Sequence, residues 1–127
     1  MDVDRLKELN DRCGHATGDE ALRQVAEALR GAVRASDLVA RFGGDEFLIV
    51  LAGCDGGTLR STLERVQVAV AELEVMCGTD GAMISVAVSA GGATLRPGDT
   101  ADALIQRADT ALYGAKRAGR SQVRLAA

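Results

Sequence analysis

Aromatic side chains are almost missing from this chain, with two Phe, one Tyr and no Trp among 127 residues. A core must therefore be built from Val, Leu, Ile and Ala. The shortage also argues against the stacked aromatic platforms that hold single-stranded nucleic acid. A net charge of −3, from 15 basic and 18 acidic residues, disfavours a nucleic-acid polymer as partner. It does not exclude a nucleotide chelated to a metal. The single histidine, His15, has no Cys or second His nearby to complete a metal set. The three cysteines, Cys13, Cys54 and Cys77, are widely spaced, and no pair has zinc-ligand spacing. They are expected to stay reduced, as in a cytoplasmic protein. No segment is long and apolar enough to span a bilayer, so no membrane contact is expected. The opening Met1-Asp2-Val3-Asp4 has neither the basic start nor the apolar run of a signal peptide. The only proline, Pro97, belongs to a turn, Arg96-Pro97-Gly98-Asp99.

What is present fits one soluble globular domain, with 47% hydrophobic and 26% charged residues. Asp4 is placed to cap a short helix from Arg5 to about Cys13, with Leu6 and Leu9 on one face. Gly14 to Asp19 reads as a turn. A helix then runs to about Arg34, with Leu22, Val25, Ala26, Leu29 and Val33 at helical spacing. Thr58 to about Cys77 reads as a third helix, and Ala101 to Ala118 as a fourth, stopped by Gly119. Met83 to Leu95 alternates as a strand, with Ile84, Val86, Val88 and Ala90 on one side. Gln122 to Leu125 reads as a last strand. The order predicts an α/β sandwich, with helices packed on a mainly antiparallel sheet.

The densest signal is Gly43-Gly44-Asp45-Glu46-Phe47. Two glycines between the apolar runs Leu38–Phe42 and Phe47–Leu51 predict a β-hairpin with adjacent carboxylates at its tip. Glycine there permits positive φ and close approach of a ligand. Acids beside such a turn suit a hard divalent metal and a phosphate substrate. Asp2 and Asp4 alternate at a strand end, where residues two apart face the same side. Strand-end and tip carboxylates in adjacent strands would form a cation site for a nucleoside triphosphate. Asn10 and Asp19 flank a glycine-bearing turn, and an amide with a carboxylate reads the N1–H and N2–H₂ donors of guanine. Lys116 and Arg120, four apart near a helix end, are placed to hold phosphates.

These segments together resemble the GGDEF family of diguanylate cyclases along nearly the whole chain. Asp2-Val3-Asp4-Arg5-Leu6-Lys7, Asn10-Asp11, Gly14-His15 and Gly18-Asp19 follow the family pattern in order. Arg41-Phe42-Gly43-Gly44-Asp45-Glu46-Phe47 is its signature. Ser89-Ala90-Gly91 and Ala108 to Tyr113, with Ala115-Lys116 and Gly119-Arg120, match its later strand and closing helix. The resemblance implies a central sheet wrapped by helices, like nucleotide cyclases and polymerase palms. It implies condensation of two GTP into cyclic di-GMP with release of pyrophosphate, by two domains facing each other as a homodimer. Asp2, Asp45 and the Val3 carbonyl would hold Mg²⁺ or Mn²⁺, and Glu46 would support the metals or the 3′-hydroxyl. Asn10 and Asp19 would read guanine, Gly43 and Gly44 would give the nucleotide room, and Lys116 and Arg120 would hold phosphates.

Arg34-Ala35-Ser36-Asp37 is an R-x-x-D placed before the signature as in family members inhibited by their product, with Arg65 as a secondary arginine of that site. Leu6 stands where the family usually has Phe, and Ser121 where it usually has Asn. By the same pattern, residues 1–127 form a GGDEF domain lacking its N-terminal helix and most of its first strand. Two functions stay open on this reading. One is a catalytic domain, which rests on Asp2, Asp45, Glu46, Asn10 and Asp19. The other is a non-catalytic GTP- or cyclic di-GMP-binding module, which rests on Arg34 and Asp37, or a fragment without activity.

Overall fold

Along the chain run β1 (Asp2–Val3), α1 (Leu6–Cys13), α2 (His15–Ala32), β2 (Leu38–Arg41), β3 (Phe47–Val50), α3 (Gly56–Ala71), β4 (Glu74–Met76), β5 (Met83–Ser85), β6 (Val88–Gly92), α4 (Ala101–Arg117) and β7 (Val123–Leu125). The computed structural model describes residues 1–127. Strand β1 is short but central. It pairs antiparallel with β6, Asp2 opposite Ser89 and Val3 opposite Val88. On its other edge Met1 and Phe47 exchange both backbone hydrogen bonds, and Val3 N–H donates to the Asp45 carbonyl at 2.9 Å. The β2–β3 hairpin is thereby joined to the sheet, giving the order β2-β3-β1-β6-β7. Only β6 and β7 run parallel. The expected mainly antiparallel sheet wrapped by helices is therefore the observed one.

Consecutive residues of β6 explain the layers. A Cβ on Gly91 would come within 2.2 Å of the Ala108 carbonyl and Leu112 nitrogen, so only glycine lets α4 lie this close. A Cβ on Gly92, pointing the other way, would meet Leu59 and Leu63 of α3. The main core is on the α2–α3 side, where Leu22, Val25, Leu29, Val66 and Val70 pack against Val3, Phe47 and Val88. It is aliphatic with one aromatic, as the composition requires. Beyond Met1, between β3 and the end of β6, lies an apolar groove of about 580 Å³ lined by Leu48, Leu51, Gly92, Leu95 and Ile105 among others. No helix is long and apolar enough to cross a membrane.

Several expectations are corrected. The segment Gly14 to Asp19 is not a turn. Gly14, at φ 88, makes the whole bend by itself, and α2 begins at His15. The third helix stops at Ala71. The residues after it form β4, because Val75 is buried while Glu74 and Met76 face outward, a strand's alternation. Met83 to Leu95 is two strands: β5 pairs with β4, and β6 pairs with β1, in separate sheets. Asp4 does not cap α1; the cap position is Arg5, with no side-chain bond. The expectation of three reduced cysteines also fails. Cys13 and Cys77 form a buried disulfide, because the β4–β5 hairpin packs against the end of α1, and only Cys54 is free.

Candidate functional site

The hairpin closes as its sequence demands. Phe42 and Gly43 N–H both donate to the Glu46 carbonyl, at 2.8 and 3.3 Å. Arg41 folds back over the turn, donating to the carbonyls of Gly43 at 3.2 Å and Gly44 at 2.7 Å. Neither Gly43 nor Gly44 uses the left-handed region, contrary to the positive-φ rationale for this pair. Gly44 instead opens on free space, and a Cβ on Gly43 would crowd Glu46 at 3.3 Å. Room, rather than backbone freedom, is what these glycines supply.

Strand register brings the acids together. Asp2 bridges Glu46, and the next residue bonds Asp45. Asp2 is buried, and burial pushes its carboxyl above the usual carboxylate range. The Lys116 ammonium opposes this, and the charges of Asp45 and Glu46 reinforce it. Lys116 Nζ donates to Asp2 Oδ2 at 2.7 Å, a contact between the chain start and the closing helix that no local pattern signals. The donor set is all hard oxygen, and three carboxylates share a single salt-bridged side chain, Lys116, which suits a divalent metal. In this conformation no three acidic, His or Cys side chains converge into a closed cluster. Lys116 is the side chain that neutralises the Asp2 carboxylate.

Asn10 and Asp19 are brought together by the α1–α2 bend. Asn10 Oδ1 is buried and has no hydrogen-bond partner. It lies over Gly18, whose missing Cβ would sit 1.7 Å away. A buried acceptor without a donor is costly unless a ligand supplies one. Asp19 is exposed at the rim of a hollow of about 400 Å³ shared with Leu22, Arg23, Arg30 and Arg41. Arg23 is paired with Glu20 and Glu27 at 2.6 and 2.5 Å.

Arg34, Asp37 and Arg65 meet at the end of α2. Arg65 donates twice to the Ala32 carbonyl, at 3.2 and 2.7 Å. Asp37 accepts from Arg34 N–H at 2.9 Å and Ala52 N–H at 3.0 Å, with the Arg34 guanidinium 3.7 Å away. Those backbone bonds, that from Arg34 first, hold its carboxyl below the usual range. Asp37 thus has a structural duty, tying α2 to the end of β3. The Arg34 side chain remains largely exposed.

Sequence reasoning missed Ser89 and Ser121, which with Asp4 form a cluster beside the acids. Ser89 Oγ donates to Asp4 Oδ1 at 2.8 Å, and Ser121 N–H donates to Asp4 Oδ2 at 3.0 Å. Arg120, in the same turn, is exposed.

Comparison with known proteins places this arrangement. The model of the diguanylate cyclase GGDEF domain matches residues 1–122. Diguanylate cyclase DosC of Escherichia coli is 44% identical over 98% of this chain, which spans 27% of DosC. Diguanylate cyclase TpbB of Pseudomonas aeruginosa is 43% identical over 99% of the chain and 29% of its own length. Among solved structures, the GGDEF domain of DgcB from Caulobacter crescentus in complex with c-di-GMP superposes with a TM-score of 0.92 at 33% identity, covering 98% of this chain and 73% of that one. Diguanylate cyclase SiaD of Pseudomonas aeruginosa, in complex with its activator SiaC, gives a TM-score of 0.92 at 40% identity, over 98% of this chain and 47% of that one. With the signature hairpin, the central acid and the closing lysine each in place, the chain belongs to the GGDEF domain family of diguanylate cyclases.

Proposed function

We propose that this domain binds GTP and, facing a second copy of itself, condenses two GTP into cyclic di-GMP with release of two pyrophosphates. The observation that carries the reading is the β3–β1 register. It sets Asp2 beside Asp45 and Glu46, with Lys116 in a salt bridge to Asp2. Asp2, the Val3 carbonyl and Asp45 would hold a divalent ion, Mg²⁺ or Mn²⁺. When bound, that ion lowers the pKa of the attacking 3′-hydroxyl, polarises the α-phosphate and offsets the charge of the leaving pyrophosphate. Lys116 exchanges Asp2 for a phosphate oxygen. Arg120, one turn on, grips the phosphate tail. Gly44 leaves the nucleotide its passage past the hairpin. Glu46 orients the 3′-hydroxyl or the metals.

The base is read at the other end. Asn10 Oδ1 awaits a donor, and guanine N1–H and N2–H₂ are donors. Asp19 completes the pair. Adenine offers neither group in that place. The exposed Arg34 guanidinium beside Asp37 would take the product, a ligand that the GGDEF domain of DgcB holds in its crystal structure. The supply of GTP assigns the domain to the cytoplasm.

The test is incubation with GTP and Mg²⁺ followed by mass detection of cyclic di-GMP. Asp45→Asn keeps the shape of the hairpin tip but removes its charge. It should abolish metal-dependent turnover and leave the thermal melt in place. Wild-type turnover in that variant would remove Asp45 from the metal site.

A further inference from the structure

Asp4 is the second acid of an Asp-x-Asp pattern, yet its oxygens are committed away from the hairpin. Oδ1 accepts from Ser89 Oγ at 2.8 Å, and Oδ2 accepts from Ser121 N–H at 3.0 Å. The same Ser121 N–H also approaches Ser89 Oγ at 3.1 Å, so three groups close a ring. Ser89 is fully buried. What this ring holds is unusual. Arg120 and Ser121 are consecutive non-glycine residues in the left-handed region, at φ 61 and 47. Each such residue is disfavoured by roughly tenfold against its ordinary conformations. The turn follows α4 directly, with Arg120 N–H donating to the Ala115 carbonyl at 3.1 Å. Ala90 N–H donates to the Gln122 carbonyl at 2.9 Å on the far side, so the ring with Asp4 is the side-chain support for Arg120 and Ser121 between these two ties, and without it both would relax toward right-handed or extended backbone.

We propose that Asp4 is a positioning residue for the phosphate end of the site. Its carboxylate, with Ser89, clamps the left-handed Arg120–Ser121 turn and so aims Arg120 at the same polyphosphate that Lys116 meets. This rests on the proposed function, in which Lys116 and Arg120 hold phosphates. The two acids of the pattern then divide the labour. Asp2 faces Lys116 and the hairpin acids, while Asp4 never touches the nucleotide and acts through the backbone of a turn 117 residues away.

The experiment compares GTP and GMP binding by calorimetry in Mg²⁺, since only GTP carries the tail that Arg120 would grip. Asp4→Ala should weaken GTP by about tenfold, the worth of one charge-assisted hydrogen bond. GMP affinity should change by less than about twofold, because base and α-phosphate contacts do not use the turn. Adding Ser121→Gly to Asp4→Ala should restore part of the GTP affinity, because glycine takes positive φ without support. Equal GTP affinity in wild type and Asp4→Ala overturns the proposal. A parallel loss for GTP and GMP, not recovered by Ser121→Gly, makes Asp4 a fold residue only and overturns it too. A loss repaired by raising Mg²⁺ makes Asp4 a metal ligand, and the positioning role falls with that result as well. Failure of the wild-type chain to bind GTP at all overturns the phosphate-site reading and this inference together, and is told apart by that control.

Discussion

Asn10 carries the one buried side-chain oxygen that nothing in the chain satisfies, and Gly18 is what makes room for it. The two facts give a test with separable readouts. Gly18 lies inside α2 with ordinary helical φ, where alanine is intrinsically better than glycine by about 1 kcal/mol. The added methyl would meet only the far end of the Asn10 side chain, which can rotate away. Gly18→Ala should therefore fold with equal or higher thermal stability. It should also displace the Asn10 amide, and the preference for GTP over ATP should fall by about tenfold or more, since a polar site discriminates through groups left unpaired. An unchanged preference would show that Asn10 does not read the base. At this scale the placement of Asp2 and Asp45 at a strand end and a hairpin tip was legible in short-range pattern, whereas Asn10 and Asp19 lie inside α1 and α2 rather than at the turn expected between them. The role of Asp4 was not legible. Its partners Ser89 and Ser121 lie 85 and 117 residues away, and nothing local distinguishes a metal-facing acid from one that accepts backbone N–H.

Among the elements, the hairpin, the face of α2 and the span of α4 followed from period and glycine placement, whereas the β4–β5 hairpin did not. Its strands are three residues each, too short to show alternation, and the first was absorbed into the helix before it. The same hairpin hid the disulfide, because pairing of Cys13 with Cys77 depends on packing rather than spacing. The junction is densely tied. Thr17 Oγ1 donates to the Cys13 carbonyl at 2.9 Å and accepts from Gly78 N–H at 3.0 Å, and Thr79 Oγ1 donates to the Arg12 carbonyl at 3.1 Å. A covalent link across 64 residues should contribute about 2–4 kcal/mol by restricting the unfolded chain. Cytosolic thiols are ordinarily kept reduced, so the bond is open to direct test. Denatured protein assayed without reductant should show one reactive thiol, Cys54, rather than three. Addition of dithiothreitol should lower the urea midpoint. Three reactive thiols and an indifferent midpoint would show that the packed cysteines are not joined in solution.

At the scale of the molecule, on the proposed reading one domain would supply a single set of guanine, phosphate and metal groups, so a product made from two nucleotides would require two copies. The far end of α2 is suited to regulate that meeting. Arg65 and Asp37 are fixed by backbone bonds to Ala32, Arg34 and Ala52, which leaves the exposed Arg34 guanidinium as the one side chain of the trio that holds no backbone group. A guanidinium on a rigid base can grip guanine or phosphate with two parallel bonds. Cyclic di-GMP, bound as a stacked pair, would join two chains there without touching Asp2 or Asp45, and would hold the catalytic faces apart. Sedimentation should then show the wild-type chain moving toward dimer as cyclic di-GMP is added. Arg34→Ala should need at least about tenfold more ligand for the same shift, the loss of one bidentate contact. GTP binding should stay unchanged, because Asn10 and Asp19 lie by the opposite end of α2 from Arg34. Identical product-driven dimerisation in the variant would reduce Arg34 and Asp37 to the charged end of a helix.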